Sequence, residues 1–389
     1  MLRTTSRGKP IVYLDTAASA QKPQVVIDAM TRFYETSNAN IHRGVYQASE
    51  QATLAYDGAR DTVAGFLGGV APEEIVFVRG TTEAINLVAR SFLRPTLRAD
   101  DWVLVTEMEH HANIVPWQLV GARTVPIPVT DGGELDLEAA RRLLAEGPRL
   151  LAVVHASNAL GTINPIAELA AMARAAGVPV LVDGAQAVGH FPVVLPALGA
   201  DFYCFSGHKL YGPTGAGVLW GRRELLEAMP PWQGGGDMID LVSFERTTFA
   251  PVPHKFEAGT PNIAGVIGLD AAVRWLQGQD RAPKAAPQEA VVGHGRELLD
   301  GVDGLCRLPS PERNVGVLTF TLEGAHPHDV ASLLDQDGIC VRAGHHCTQP
   351  LHRRFGLAAT VRASIAPYTS SADLDALAAS LRRIRELFR

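Results

Sequence analysis

Nothing in this sequence marks a membrane span, a nucleic-acid binder or a disulfide scaffold. No apolar run is long enough to cross a bilayer. The 389 residues carry a formal net charge of −6, so the basic footprint of a nucleic-acid partner is missing. The first ten residues, MLRTTSRGKP, hold no apolar core of a secretory leader. Cysteine is sparse: Cys204, Cys306, Cys340 and Cys347, with no pair at CxxC spacing. Reduced thiols in a cytosol-like compartment are expected, with Cys204, Cys306 and Cys340 as core residues. Internal repeats and low-complexity tails are absent as well.

What the chain does have is an ordinary globular composition, 47% hydrophobic and 20% charged, in a length that suits two domains. From about residue 70 to 230, apolar runs alternate with amphipathic ones. EEIVFVRG (73–80), DDWVLVTEMEHH (100–111), RLLAVVHASN (149–158), VPVLVDGAQ (178–186) and DFYCFSGHK (201–209) read as strands. Helices are expected at TTEAINLVARSFL (81–93), near 112–121 and at PIAELAAMARAAG (165–177). Continuous apolar strands between helices predict an α/β fold, with a mostly parallel sheet covered on both faces. The texture changes after about residue 265. An Ala/Pro/Gln-rich connection (278–290) leads to an α+β pattern: strands at NVGVLTFTL, ICVRAG and ATVRASIA, and helices at PHDVASLLDQDG and SADLDALAASLRRIRELF. A large domain over 11–265 and a small one over 266–389 are expected, with residues 1–30 packing on the small one.

In open α/β sheets ligands sit beyond the carboxyl ends of the strands. There the sequence places Gly80-Thr81-Thr82-Glu83, where hydroxyls at a helix N-terminus suit a phosphate, although taken alone a plain Thr N-cap explains them better. His110 can stack on a planar ligand or be a polar loop residue. Asn158 ends another strand. Asp183 follows VPVLV, where a carboxylate is costly without a cation or strong donor. Gln186 lies one turn on. Lys209, between an apolar strand and a Gly/Pro-rich turn, suits Schiff-base chemistry. Ser206 and His208 flank it. A phosphate cradle, a stacking His, an Asp for a pyridinium nitrogen, a Gln for a phenolic oxygen and a reactive Lys together match pyridoxal 5'-phosphate (PLP). RAGHHCTQPL (342–351) stands apart. On local grounds Cys347 is a metal ligand, a reactive thiol or a buried residue, and the closeness of His345, His346 and Cys347 in sequence speaks against one metal ion.

The segments YLDTAASAQKP, NIHRGVY, VFVRGTTEAINLVA, EMEHHANIVPW, SNALGTINP, VLVDGAQAVGH, DFYCFSGHKLYGPTGAGVLW, FEAGTPN, RAGHHCTQPL and VRASIAPY run from about residue 11 to the end. Together they resemble the cysteine desulfurases of the class V aminotransferase family, above all the SufS type (group II). The resemblance implies PLP fold type I, a large domain with a seven-stranded sheet and a smaller C-terminal domain carrying Cys347 and Arg362. It implies that Lys209 holds PLP and moves the substrate α-proton. Asp183 would pair with the ring nitrogen and Gln186 with the ring oxygen, while His110 stacks and works in acid–base steps. Thr81, Thr82, Ser206 and His208 would serve the phosphate. Thr260 would reach the cofactor phosphate of the partner in a homodimer. Arg362 would clamp the substrate carboxylate, with Asn158 and Arg342 near it and His42 and Arg43 at the entrance. Cys347 would accept sulfur.

The implied activity is conversion of L-cysteine to L-alanine, with sulfur left as a persulfide on Cys347 for iron–sulfur cluster assembly. The compact RAGHHC stretch goes with a sulfur-accepting partner protein of the SufE or SufU kind. No resident metal, no nucleic acid and no membrane enter, and a cytoplasmic location is implied. A thiol of ordinary pKa, about 8.5, calls for nearby cations such as Arg342 or a charged histidine to become a thiolate. The alternative on the same scaffold is a selenocysteine lyase or cysteine sulfinate desulfinase, for which a protein thiol is dispensable. SufS relatives usually carry a further helical segment ahead of YLDTAASA, and the stretch here is short by comparison. They often have Ala where Thr348 stands.

Overall fold

Residues 2–279 and 286–389 are described in a computed structural model of the chain. Seven strands make the central sheet: β1 (Ile75–Val78), β2 (Trp102–Thr106), β3 (Arg123–Ile127), β4 (Leu150–Val154), β5 (Val180–Asp183), β6 (Phe202–Ser206) and β7 (Gly217–Gly221). Their spatial order is β1-β7-β6-β5-β4-β2-β3. The run β6-β5-β4-β2-β3 is parallel. Only β7 runs antiparallel to its neighbours.

The strands read as unbroken apolar runs because both faces are buried, and alternation sends successive residues to two cores. Leu104, Leu151, Val182, Tyr203 and Val218 enter the core on one face, with Tyr56, Ala59 and Val63 of α2 (Gln47–Phe66). Val103, Ala152, Leu181, Phe202 and Leu219 enter the other, with Ala84, Ile85 and Leu87 of α3 (Thr81–Leu87). α1 (Gln24–Thr36) and α4 (Ile166–Ala175) complete the first layer. α5 (Ile263–Gln277) packs on α1 and α2, with Val266, Leu269, Val273 and Leu276 in that same core. The packing therefore changes hands after Gln277, later than the boundary expected at residue 265. Part of the connection expected at 278–290, residues 280–285, lies outside the described residues; its last part already belongs to α6 (Ala286–Asp300).

A second sheet is made of β8 (Leu305–Arg307), β9 (Val317–Leu322), β10 (Arg342–Gly344) and β11 (Thr360–Ser364), ordered β8-β9-β11-β10. α7 (Pro327–Gln336) and α9 (Ser371–Leu387) cover it, and α8 (Gln349–Arg354) follows β10. The expected ICVRAG strand is split. Ile339–Cys340 pairs in parallel with Val12–Tyr13, while Arg342–Gly344 joins β11. Leu14 lies in this third core, so the N-terminal stretch is sewn to the C-terminal sheet. Ahead of it, Thr5–Ser6 and Lys9–Pro10 form a small antiparallel pair rather than a helix. Cys204 is buried, Cys340 is half-buried and Cys306 is exposed. The core placement expected for Cys306 therefore fails: β8 is an edge strand, and Cys306 points away from its half-buried neighbours Leu305 and Arg307. Among the described residues no helix is long and apolar enough to cross a membrane.

Candidate active site

A cavity of about 250 Å³ lies where the carboxyl ends of β1, β4, β5 and β6 face the second sheet. The large-sheet wall is built by strand ends. Asp183, the last residue of β5, is 3% exposed, and its Oδ1 accepts from the Ala185 N–H at 2.9 Å. Burial raises its pKa, against Lys209, which lowers it. Lys209 closes a 3₁₀ turn directly after β6. Desolvation lowers its ammonium pKa, Asp183 opposes this and Arg362 adds to it. Gln186 is buried nearby, with its Nε2 donating to the Ala17 carbonyl at 2.7 Å.

His110 caps the short turn His111–Asn113. Its Nδ1 accepts from the Ala112 N–H at 3.0 Å, which leaves the proton of the neutral ring on Nε2. Burial, then Lys209, His111 and Arg362, push its pKa down to about 3, so the ring is neutral near pH 7. Beneath it the fully buried Glu109 accepts from Thr106 Oγ1, Asn113 Nδ2 and the Val154 N–H. These bonds tie the His110 loop to β2 and β4.

Thr81, Thr82, Ser206 and His208 gather at the far end of the cavity. Ser206 Oγ accepts from the Thr81 N–H at 2.9 Å and lies 2.9 Å from Thr81 Oγ1. A Cβ on Gly80 would sit 3.0 Å from Ser206 Oγ, so the close approach of this turn to β6 favours glycine. Burial, then Lys209 and Lys22, lower His208 to about 4.

The opposite wall comes from the second sheet. Arg362, on β11 and 2% exposed, donates from Nη1 to the Asn158 carbonyl (2.9 Å) and from Nη2 to Asp15 (3.2 Å). Its Nε and the Oδ1 of Asn158 are buried without a partner. Arg342, on β10, grips the same Asp15 with two bonds, at 3.1 and 2.9 Å. The cation expected beside Cys347 is thus already an ion pair. Cys347 is exposed at the cavity mouth. It sits with His346 at the centre of a turn closed by Thr348 N–H donating to the His345 carbonyl at 2.9 Å. Their φ angles are 53° and 58°, left-handed at both central positions as in a type I′ turn. For residues other than Gly, Asn or Asp this conformation costs about 1–3 kcal/mol each. The His111 N–H donates to the Cys347 carbonyl at 2.8 Å, and Asn158 Nδ2 to the His346 carbonyl at 2.7 Å.

Three expected site residues lie elsewhere. Thr260 is exposed and lines a separate hollow with Gly215, Trp232 and Gln233. Its segment is anchored by Glu257, which takes two bonds from buried Arg60, at 2.8 and 2.9 Å. His42 is exposed beside Asp57 and His254, and Arg43 pairs with Asp237 at 3.2 Å. Conversely, Asp15, His111 and His346 are part of the site without having been singled out as such. Asp15 carried one faint signal, a carboxylate wedged between YL and TAASA.

The aminotransferase class-V family profile matches residues 12–377. The chain belongs to the aminotransferase class-V family. A probable cysteine desulfurase of Vibrio cholerae is 47% identical over 99% of this chain and 96% of its own length. A cysteine desulfurase of Yersinia pestis is 48% identical over 100% and 96%. Among solved structures, the cysteine desulfurase CsdA of Escherichia coli, in an S-sulfonic acid form, superposes with a TM-score of 0.91 at 42% identity, over 97% of this chain and 95% of that one. The α/β architecture expected from the strand pattern is the one found.

Proposed function

We infer that this class-V enzyme is a PLP-dependent cysteine desulfurase of the SufS type, converting L-cysteine to L-alanine with sulfur left on Cys347. One observation carries the reading: an exposed thiol shares a single cavity with a desolvated lysine and a buried arginine that has a spare N–H. An aminotransferase has no evident use for that thiol.

The residues fit PLP. A buried aspartate and a lysine stand on one wall, and hydroxyls cluster at one end around a close turn at Gly80. Asp183 would hold the ring nitrogen, Gln186 the ring oxygen and His110 the ring face, while Thr81, Thr82, Ser206 and His208 would hold the phosphate. When bound, the cofactor supplies an electron sink for the charge left at the substrate α-carbon. Lys209 Nζ, with its pKa lowered, is an amine able to carry the cofactor and then move the α-proton. Arg362, with its Nε free and its Nη groups held, presents a fixed fork to the substrate carboxylate. Asn158 and Arg342 flank it. Cys347 Sγ, as thiolate, attacks the substrate sulfur; the new S–S bond forms as the substrate C–S bond breaks, and His110 Nε2–H is a proton source for the departing product.

The finer parts of the proposal have their own supports. Thr260 stands outside its own chain's cavity, and Val45, Tyr46 and Phe244 are exposed apolar residues, both in keeping with a homodimer in which Thr260, His42 and Arg43 serve the partner. The exposed Cys347 is open to a sulfur-accepting protein of the SufE or SufU kind, delivering to iron–sulfur assembly in the cytoplasm.

The test is alanine formed from L-cysteine with a reductant present. The wild type should make alanine and Cys347→Ala should not, while both hold PLP. If neither makes alanine although PLP is bound, the assignment moves to selenocysteine or cysteine sulfinate as substrate; alanine formation that survives in Cys347→Ala would remove Cys347 as the sulfur acceptor.

A further inference from the structure

The turn that carries Cys347 has the backbone of an Asn-Gly turn but the residues His-Cys, so something must hold it. In it and behind it are four buried polar residues that the proposed chemistry does not use: His346 (6% exposed) and Thr348 (0%) of the turn itself, and His352 (1%) and Thr360 (0%). Burying so many polar groups is unfavourable unless each finds a partner.

Donor and acceptor inventory fixes the direction of the bonds among them. His352 Nδ1 lies 3.1 Å from the Thr348 carbonyl, which can only accept, so Nδ1 carries the proton. In the neutral ring Nε2 is then an acceptor, 3.0 Å from Thr360 Oγ1, and the Thr360 hydroxyl donates to it. Having spent its one proton, Thr360 Oγ1 accepts from His346 Nε2–H at 2.9 Å. Burial keeps both imidazoles neutral: it pushes His346 down to about 2, and it lowers His352. The chain of bonds runs one way, from His346 through Thr360 and His352 to the Thr348 carbonyl. It leaves His346 and returns at Thr348, the two residues on either side of Cys347. The imidazoles do not form a metal site: among the described residues no three His, Cys, Asp or Glu side chains are so arranged.

We propose that Thr360 and His352 are positioning residues, whose one-way hydrogen-bond loop through His346 and Thr348 locks Cys347 in its left-handed turn at the cavity mouth. The carbonyls of His346 and Cys347 are held from the large-sheet side by Asn158 and His111, and the loop holds the turn from the other side. The consequence for catalysis rests on the reading of Cys347 as sulfur acceptor; the consequence for the thiol itself does not.

The experiment compares Thr360→Val, which keeps the shape and removes the hydroxyl, with Thr360→Ser, which restores it, both in the PLP-loaded enzyme. Alkylation by iodoacetamide is followed peptide by peptide at fixed pH without substrate, with the exposed Cys306 as internal reference. In Thr360→Val the Cys347 rate should depart from wild type by about tenfold, with Cys306 unchanged. In the same variant kcat for alanine formation should fall by a similar factor while KM holds. Thr360→Ser should return both towards wild type. His352→Phe, which keeps a ring and removes both nitrogens, should repeat the result and stands in if Thr360→Val does not fold. A folded Thr360→Val with wild-type alkylation at Cys347 overturns the proposal, even if its activity has fallen. If Cys347→Ala still makes alanine, the reading of Cys347 as sulfur acceptor fails, while the substrate-free alkylation rates still decide whether the loop holds the turn.

Discussion

The two walls of the cavity are built by different means. On one, Asp183, Asn158, Lys209 and His110 follow the ends of strands whose backbone ladders are buried on both faces. Their places are set by the sheet, and side-chain bonds such as those of Glu109 only trim them. On the other wall, Arg342, Cys347 and Arg362 belong to a smaller sheet and a strained turn, held by Asp15 and by buried side-chain hydrogen bonds. The first wall should therefore tolerate the loss of a neighbouring side chain without moving. The second should shift when one carboxylate or hydroxyl is removed. The lysine and the thiol that the proposed reaction brings to one small substrate are thus placed with different degrees of security.

The largest effect sharpens the first half of that comparison. Lys209→Ala should cut alanine formation by about 10⁴-fold, the upper range for losing a group that moves a proton, with the fold intact by circular dichroism. An unfolded variant would mean that the lysine helps build the wall rather than standing on it. Next come two carboxylates that each serve arginines. Glu257→Gln leaves buried Arg60 without its charge partner and should cost about 3–5 kcal/mol in urea unfolding. Asp15→Asn should do little to stability but raise KM for L-cysteine about tenfold, because Arg362 and Arg342 lose the anchor that orients them. An unchanged KM in that variant would break the claim that the second wall depends on side chains.

The smallest effect is a slope. Burial holds His155 at about 4 and His346 at about 2, both below the ordinary value of about 6.5 that the unfolded chain keeps. The unfolded chain therefore takes up protons first as pH falls. The stability is whole above about pH 6.5 and declines below it, towards the folded values, by about 1.4 kcal/mol per pH unit for each imidazole. Urea unfolding should show a weaker protein at pH 5.5 than at pH 7.5, and a shallower loss in His155→Gln. A flat profile would mean that these rings are charged or solvated in the folded state.

The same contrast governs what the sequence reveals. β1, β2, β4, β5 and β6 are legible as apolar runs because burial on both faces leaves no room for polar residues, and the residues at their ends follow. β3 escapes because it is an edge strand, RTVPI, partly exposed and carrying a proline. β7, GVLWG, is short and bracketed by glycines, so it merges with the turn before it. α5 escapes because its sequence is apolar on nearly every side. Cys347 is found through its family motif, but its left-handed turn is not, since His-Cys is not the chemistry that such turns prefer. Asp15 is hidden for a simpler reason: its partners Arg342 and Arg362 lie 327 and 347 positions away, and only the folded chain brings them together.

The central claim is that the lysine wall and the thiol wall work on one substrate, with Cys347 taking the sulfur. The most direct measurement is peptide mass spectrometry of the PLP-loaded enzyme after L-cysteine, with no reductant, for the wild type and Lys209→Ala. The account predicts one added sulfur atom on the Cys347 peptide of the wild type, none on the Cys306 peptide, and none anywhere in Lys209→Ala. Added sulfur spread equally over Cys306 and Cys347, or present on Cys347 without Lys209, would contradict it.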